Sequence, residues 1–440
     1  MKRFTFRGGV HPPHFKKATE KLSVEKAKIP QVVTIPLQQH IGAPCEPLVK
    51  VGDKVKIGQK IGQANAFVSA PIHSSIAGTV KKIASFDSPT GSKVQCIVIE
   101  SDGSNEVHED VRAKRKLHNL SKKEILEIIK EAGITGMGGA GFPTHVKLSP
   151  PPDKPIDTVI INGAECEPFL TADHRMMLEH PEKVVFGLKA IMKVLDVRKG
   201  FIGIEDNKPD AIKVMEEAVM NEPDIDVAPV RTKYPQGDEK RLINAITGRE
   251  VPSGGLPMDV GLVVNNVGTA AAICDAIKTG MPVIERVVTI SGSAINEPKN
   301  LLVRIGTSFK EVIEQCGGYK SDLGKLISGG PMMGFAQFTD EIPVIKGTSG
   351  ILALNKKDAK IPDEQPCIRC GKCVSICPVN LEPLFIAKFS QKRLYDEAEK
   401  YHALDCIECG SCSFICPSKR KLLQSIRTGK REIISKRKKS

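Results

Sequence analysis

Eight of the 13 cysteines fall into two runs, Cys367-x2-Cys370-x2-Cys373-x3-Cys377-Pro378 and Cys406-x2-Cys409-x2-Cys412-x3-Cys416-Pro417, repeated at an offset of 39 residues. Three thiolates at this spacing sit on one tight loop and hold three corners of an iron–sulfur cubane, so the runs predict two [4Fe–4S] clusters. Zinc sites pair two C-x2-C units at a distance without a third Cys two residues on, which disfavours structural zinc. Gly371 and Gly410 follow the second Cys of each run. Lacking a Cβ, they let the backbone approach a cluster and aim N–H groups at its sulfurs. The other five cysteines, Cys45, Cys96, Cys166, Cys274 and Cys316, are expected to be buried, unreactive thiols. A disulfide framework is disfavoured in a reducing compartment.

A second candidate is the loop Gly136-Met137-Gly138-Gly139-Ala140-Gly141, which fits G-x-G-x-x-G at 136, 138 and 141. A dinucleotide fingerprint should follow a strand and open a helix. Here a helical pattern precedes the loop and Phe142-Pro143 follows, so a Rossmann site is rejected. The residues alone leave two readings. One is a phosphate cradle of successive glycine N–H groups, with Lys147 six residues on. The other is a plain tight turn.

These residues need elements to hold them. Apolar and polar residues alternate in VKVGDKVKIGQKIG and IAGTVKKI, so residues 31–100 read as short half-buried strands punctuated by glycines. Residues 101–120 are polar and charged, a linker. SKKEILEIIKEAG (121–133) is an amphipathic helix, with Ser121 and Glu124 as a capping box and Gly133 at its end. Strand candidates at 157–162, 200–205, 260–264 and 286–291 alternate with helical stretches near 174–195, 209–220, 238–247 and 268–279, which predicts an α/β sheet domain. SGGPMMG (328–334) is a further glycine-rich turn, and the segment between the cysteine runs reads helical.

At 440 residues the chain has room for about three domains. Aromatics are 4% and Trp is absent, so the cores must be aliphatic. No apolar run is long enough for a membrane-spanning helix. The start, MKRFTFRGGVHPPHF, lacks the apolar stretch of a signal peptide, so the mature chain is expected to stay in the cytosol. The net charge of +13 is concentrated at the ends: 417–440 carries ten Lys/Arg and one Glu, and 1–30 carries eight Lys/Arg and two Glu. The near-neutral body argues against a specific nucleic-acid groove. The two ends, expected to be mobile, are either docking segments for anionic lipid, an acidic partner or nucleic acid, or solvated tails.

GMGGAGFPTHVK (136–147), INGAECEP (161–168), YPQGDE (234–239) and VVNNVGT (263–269) occur in an order that resembles the flavin-binding, NADH-oxidising subunit of the complex I family. The resemblance implies that the glycine loop and Lys147 hold the FMN phosphate and that the later segments surround the flavin. It implicates Gly136, Gly138, Gly139, Gly141, Lys147, Asn162, Glu165, Tyr234, Gly237, Asp238, Glu239, Asn265, Asn266 and Thr269 in cofactor binding, with Glu165 and Glu167 as catalytic carboxylates beside the nicotinamide. The other reading of these two residues, by type alone, is a pair of solvated turn carboxylates. Met137 stands where that family commonly has Arg, and that family has one three-Cys block rather than two complete runs.

Other segments carry resemblances of their own. Residues 31–100 resemble the biotinyl/lipoyl-type barrel-sandwich, with Phe67 at the tip where that family carries its cofactor Lys, which implies a structural or docking role. VVTISGSAINEP and VRIGTSFKEVIEQCGG (286–318) resemble the soluble-ligand-binding β-grasp (SLBB) domain. The cysteine runs resemble the helical variety of two-cluster ferredoxin, in which each fourth Cys ligates the other cluster. The implied sets are Cys367, Cys370, Cys373 with Cys416, and Cys406, Cys409, Cys412 with Cys377.

The whole chain resembles the RnfC family, the C subunits of the Rnf complex, an ion-translocating ferredoxin:NAD+ oxidoreductase. The implied fold is multidomain α/β: an N-terminal arm (1–30), a lipoyl-like β barrel-sandwich (31–100), a linker (101–120), an α/β FMN/NADH-binding domain (121–285), an SLBB β-grasp module with connector (286–355), a helical two-[4Fe–4S] ferredoxin domain (356–424) and a basic tail (425–440). The implied function is that of a peripheral translocase subunit on the cytoplasmic face of a bacterial plasma membrane. It would exchange electrons between NAD(H), FMN and the two clusters. Its partners would be integral and peripheral subunits, ferredoxin directly or through another subunit, and anionic lipid through the tail. Nicotinamide moves two electrons as a hydride and a cluster moves one, so a flavin belongs between them. The alternatives are a corrin reductase flavoprotein, which lacks the GGVHPP arm and lipoyl-like start, and a soluble NADH dehydrogenase or hydrogenase flavoprotein, against which the double cysteine run argues.

Overall fold

The computed structural model describes residues 3–112, 115–320 and 322–437. The chain is multidomain α/β, and each domain is built on an aliphatic core. The first domain packs a four-stranded sheet, in the order Val32–Pro36, Lys93–Ser101, Gly78–Asp87, Lys54–Val55, against a three-stranded one of Glu46–Pro47, Lys60–Gln63 and Ile72–His73. Register pairs Val33 with Ile99 and Ile35 with Ile97, and these residues fill the space between the sheets with Ile61 and Ile72. Burying each such side chain stabilises by roughly 1.5–3 kcal/mol.

The central domain carries a four-stranded parallel sheet in the spatial order Ile225–Val230, Gly200–Glu205, Thr158–Gly163, Leu262–Asn266. In chain order this is third, second, first, fourth, so the order of strand addition reverses between Thr158–Gly163 and Leu262–Asn266 while all strands stay parallel. Open α/β sheets bind ligands at such a switch point, beyond the carboxyl ends of the strands. Helices Pro181–Leu195 and Val267–Thr279 cover one face through Leu188, Ile191, Ile273 and Ile277. Helix Glu239–Thr247 covers the other through Leu242, Ile243 and Ile246. The helical stretch expected at 174–195 is two helices, Ala172–Glu179 and Pro181–Leu195, broken at His180. A residue before proline is pushed out of the α region, which explains the break.

A six-stranded sheet follows, in the order Val24–Lys26, Lys299–Arg304, Glu285–Ser291, Gly350–Asn355, Leu323–Ser328, Phe335–Gln337. Its first strand comes from the N-terminal segment, with Val24 parallel to Asn300. The expected mobile arm is therefore packed structure over its described residues. Thr19 bonds Thr171 through their hydroxyls at 2.7 Å, and Phe15 stacks on Phe169 with ring centroids 4.8 Å apart.

The last domain is helical: Pro383–Gln391, Tyr395–Lys400 and Leu422–Arg437 close on Ile386, Ala387, Ala398, Ile426 and Ile433. The basic tail expected at 425–440 is, over its described part, most of this last helix; residues 438–440 lie outside the described residues. Buried Leu422, Ile426, Gly429 and Ile433 recur at helical spacing and hold it against the domain. No helix among the described residues is long and apolar enough to cross a membrane.

Candidate functional site

The glycine loop lies over the switch point of the parallel sheet. The Gly136 N–H donates to the Phe142 carbonyl at 2.8 Å and closes the loop. The Met137 N–H donates to the Thr269 hydroxyl at 3.0 Å, fixing the loop above the first turn of helix Val267–Thr279. A Cβ on Gly138 would stand 3.3 Å from the Asn266 Cβ, so glycine allows the close approach. Asn266 caps that helix by accepting from the Gly268 N–H at 2.8 Å, and Asn162 is its register partner on the neighbouring strand. Lys147, on the short helix Thr144–Lys147, reaches the Val264 carbonyl at 2.9 Å and the Glu239 carboxylate at 3.3 Å. The loop, both strand ends and the 234–239 segment thus converge on one place.

The segment from Tyr234 to Glu239 forms the opposite wall. Asn162 donates to the Gly237 carbonyl at 2.8 Å, and the Gly237 N–H donates to the Cys166 thiol at 3.3 Å. Asp238 caps helix Glu239–Thr247 by accepting from the Arg241 N–H at 3.1 Å. Two helix N-termini therefore face the site, a favourable setting for an anion. Asn265 Nδ2 and both ends of the Gln236 amide are buried without a hydrogen-bond partner. Such atoms ordinarily cost about 1–3 kcal/mol each when left unpaired. A flavin ring, with acceptors and donors along one edge, fits these unpaired atoms. Gln236 was not singled out in the sequence, although it lies inside the YPQGDE motif.

Glu165 and Glu167 are not a pair of solvated turn carboxylates, because each is engaged by backbone N–H groups. Glu165 accepts from the Asp173 N–H at 2.7 Å and the His174 N–H at 3.3 Å, and so holds the start of helix Ala172–Glu179. Glu167 accepts from the N–H groups of Met332 and Met333 at 3.0 and 2.8 Å, tying the 328–334 turn to the site. Burial pushes the Glu167 carboxyl up to about 7. Behind them Lys16, 4% exposed, donates to the carbonyls of Glu165 and Glu167 at 2.9 Å each, and also to the Leu170 carbonyl. Contacts across about 150 residues of sequence gave no local signal for Lys16.

The cysteines gather in two sets. Cys377, Cys406, Cys409 and Cys412 line one cavity with Leu381, Ile386, Ile407 and Ile426. Cys367, Cys370, Cys373 and Cys416 line another. Each run thus sends its fourth thiol to the other's site. Among the described residues no three His, Cys, Asp or Glu side chains close on a single-ion position. The chemistry of the donor sets, four thiols around each cavity, fits cubanes. The backbone repeats with the sequence: φ is positive at Arg369 and Glu408 (54° and 58°), at Gly371 and Gly410 (70° and 77°), and at Asn380 and Lys419 (55° and 52°). In each run, positive φ recurs at alternate residues before the third thiol, the kind of backbone that forms anion-binding nests.

The first set touches the wall formed by the 234–241 segment. The Tyr234 hydroxyl donates to the Cys409 carbonyl at 2.8 Å, and Arg241 Nη1 donates to the Pro378 carbonyl at 2.7 Å. The N-terminal segment threads between them: the Gly9 N–H donates to the Ile376 carbonyl at 2.8 Å, and Val10 exchanges backbone bonds with Tyr234.

Four family profiles match in chain order. They are the RnfC barrel sandwich hybrid domain over residues 4–104, the Nuo51 FMN-binding domain over 129–275, the SLBB domain over 287–336 and the 4Fe-4S dicluster domain over 359–417. An NAD+-reducing [NiFe]-hydrogenase structure aligns at 18% identity and a TM-score of 0.47, covering 72% of this chain and 62% of that one. The C subunit of the Na+-translocating ferredoxin:NAD+ oxidoreductase complex of Acetobacterium woodii is 53% identical, covering 100% of this chain and 99% of that protein. The proton-translocating counterpart of Clostridium ljungdahlii is 58% identical, with coverages of 97% and 94%. The C subunit of the ion-translocating oxidoreductase complex of Rhodobacter capsulatus is 42% identical, with coverages of 87% and 74%. At these identities over nearly its whole length, the chain belongs to the RnfC family, the C subunits of ion-translocating ferredoxin:NAD+ oxidoreductase complexes.

Proposed function

We propose that this chain is the peripheral electron-transfer subunit of an ion-translocating ferredoxin:NAD+ oxidoreductase, exchanging electrons between NAD(H), a bound FMN and two [4Fe–4S] clusters. Bound FMN supplies the conversion between a two-electron hydride and single electrons, which the clusters carry. The chain's own residues bind and orient. The glycine loop N–H groups, Lys147 and the start of helix Val267–Thr279 favour a phosphate. Asn265 and Gln236 offer unpaired polar atoms to a ring edge. Glu165, Glu167 and Lys16 hold the 164–170 loop in shape through hydrogen bonds. The set Cys406, Cys409, Cys412 with Cys377 is the flavin-side cluster site, and the set Cys367, Cys370, Cys373 with Cys416 is the outer one. In the assembled complex the subunit sits on the cytoplasmic face, with ferredoxin reaching it directly or through another subunit.

The observation that carries this reading is the shared wall at Tyr234. The segment that borders the switch-point site through Gly237 also bonds the Cys409 carbonyl through the Tyr234 hydroxyl. Anaerobic titration of the loaded protein with NADH tests the reading. NADH should bleach the flavin band and then the broad cluster absorption. An unchanged spectrum in FMN-replete protein would reject it.

A further inference from the structure

The outer cysteine set opens to the surface. Cys367 and Cys370 are exposed, and Ile368 between them is 67% exposed. Arg369, Lys372 and Arg420 line the same cavity. The stretches that form its mouth, 360–372 and 417–421, hold six bases (Lys360, Arg369, Lys372, Lys419, Arg420, Lys421) and two acids (Asp363, Glu364). They run side by side: the Gln365 N–H donates to the Ser418 carbonyl at 2.9 Å, and the Lys421 N–H donates to the Glu364 carboxylate at 2.6 Å.

Several bases elsewhere in this domain are paired with acids. Arg427 and Lys430 both pair with Glu408, at 2.9 and 2.8 Å. Lys436 pairs with Asp396 at 2.7 Å, and Arg437 pairs with Glu399. Among the described residues, none of the ion pairs in the domain involves Arg369, Lys372, Lys419 or Arg420. The repeat shows that the cluster-binding backbone does not require these cations. Thirty-nine residues apart, Arg369 corresponds to Glu408, Lys372 to Ser411 and Lys419 to Asn380. At these three positions of the repeat, positive charge belongs to the open mouth and not to the buried set.

We propose that this mouth is the docking surface for an acidic one-electron carrier protein, seated on Ile368 and held by the ring of Arg369, Lys372, Lys419 and Arg420. The inference deepens the proposed function, on which it rests, by naming the chemistry of the partner that meets the outer cluster site. An apolar centre within a charged rim is the anatomy of a protein interface. Charge complementarity speeds encounter and fixes orientation between weakly bound partners. An anionic membrane fits less well, because the bases of helix Leu422–Arg437 that would extend such a face are largely paired.

The test uses the full-length loaded protein and an oxidised acidic two-cluster ferredoxin as probe, with binding measured by calorimetry. Affinity should fall about tenfold or more from low to high salt. The triple variant R369E/K372S/K419N places at each site the residue its repeat partner already carries, and should weaken low-salt binding about tenfold. Basic cytochrome c should not bind. If the triple variant loses iron, K372S alone should still weaken binding about threefold. Ferredoxin binding that ignores both salt and these substitutions would overturn the proposal. So would substitutions that abolish binding to phosphatidylglycerol vesicles while sparing ferredoxin. If wild-type protein binds ferredoxin in this way yet is not bleached by NADH, the proposed function fails and the docking surface stands.

Discussion

The two cysteine sets share a sequence pattern and a backbone, yet they occupy opposite environments. Three positive-φ residues recur 39 positions apart in both. Around one set, Cys377, Cys409 and Cys412 are 7–8% exposed, walled by Ile386 and Ile426 and bonded to the central domain through Tyr234 and Arg241. Around the other, Cys367 and Cys370 are exposed within a mouth of bases. Local sequence makes both sites equally able to hold a cubane. Their placement in the fold decides which is walled by the central domain and which opens to the surface. A duplicated module becomes directional when only one half is buried against a neighbouring domain.

The largest effect should separate the two sets by ligand substitution. Cys412→Ala should remove about four of eight irons and also lower the melting temperature, because the cavity it lines is part of the domain core. Cys373→Ala should remove as much iron with a smaller loss of stability. Cys377→Ala should resemble Cys412→Ala in its remaining paramagnetic signal, and Cys416→Ala should resemble Cys373→Ala. If each fourth cysteine instead followed its own run, the crossed arrangement would be wrong.

Next in size is Ile426→Ala, which truncates a side chain 1% exposed beside the buried set. Denaturant unfolding should show a loss of about 2–5 kcal/mol for the helical domain. A loss near zero would mean that helix Leu422–Arg437 is not part of that core.

Glu167 gives a pH-dependent effect on the turn that borders the buried set. Its folded pKa, about 7 through burial, lies above the unfolded value, so its stabilising contribution is full at low pH and is lost as pH rises through about 7. Glu167→Gln should flatten that part of the thermal-stability profile between about pH 4.5 and 7. An unchanged slope would assign the dependence to another group. The smallest effect is expected of Tyr234→Phe, which leaves the Cys409 carbonyl without its side-chain donor. It should cost about 1 kcal/mol, with no counterpart at the outer set.

Much of this was legible in the sequence where the signal is local. The cysteine runs, the Ser121–Glu124 capping box and three of the four parallel strands depend on neighbours in the chain. The fourth strand, Ile225–Val230, was hidden because it contains Asp226 and Pro229. A proline is tolerated there because the strand lies at the sheet edge. The terminal segments were misjudged for a different reason. Their charge masks the helical stripe of Leu422, Ile426 and Ile433, and contacts such as Lys16 with the Glu165 loop are created only by the tertiary fold. Within the candidate site, residue types pointed to the glycine loop and to Asn265, but not to the engagement of Glu165 and Glu167 by backbone N–H groups.

On the proposed function, one chain holds a mononucleotide and two cubanes, with one cubane walled against the flavin site. Quantifying iron, acid-labile sulfide and releasable FMN in anaerobically isolated protein tests it most directly. About eight irons, eight sulfides and one FMN per chain are expected. About two tightly held zinc ions without flavin would contradict it.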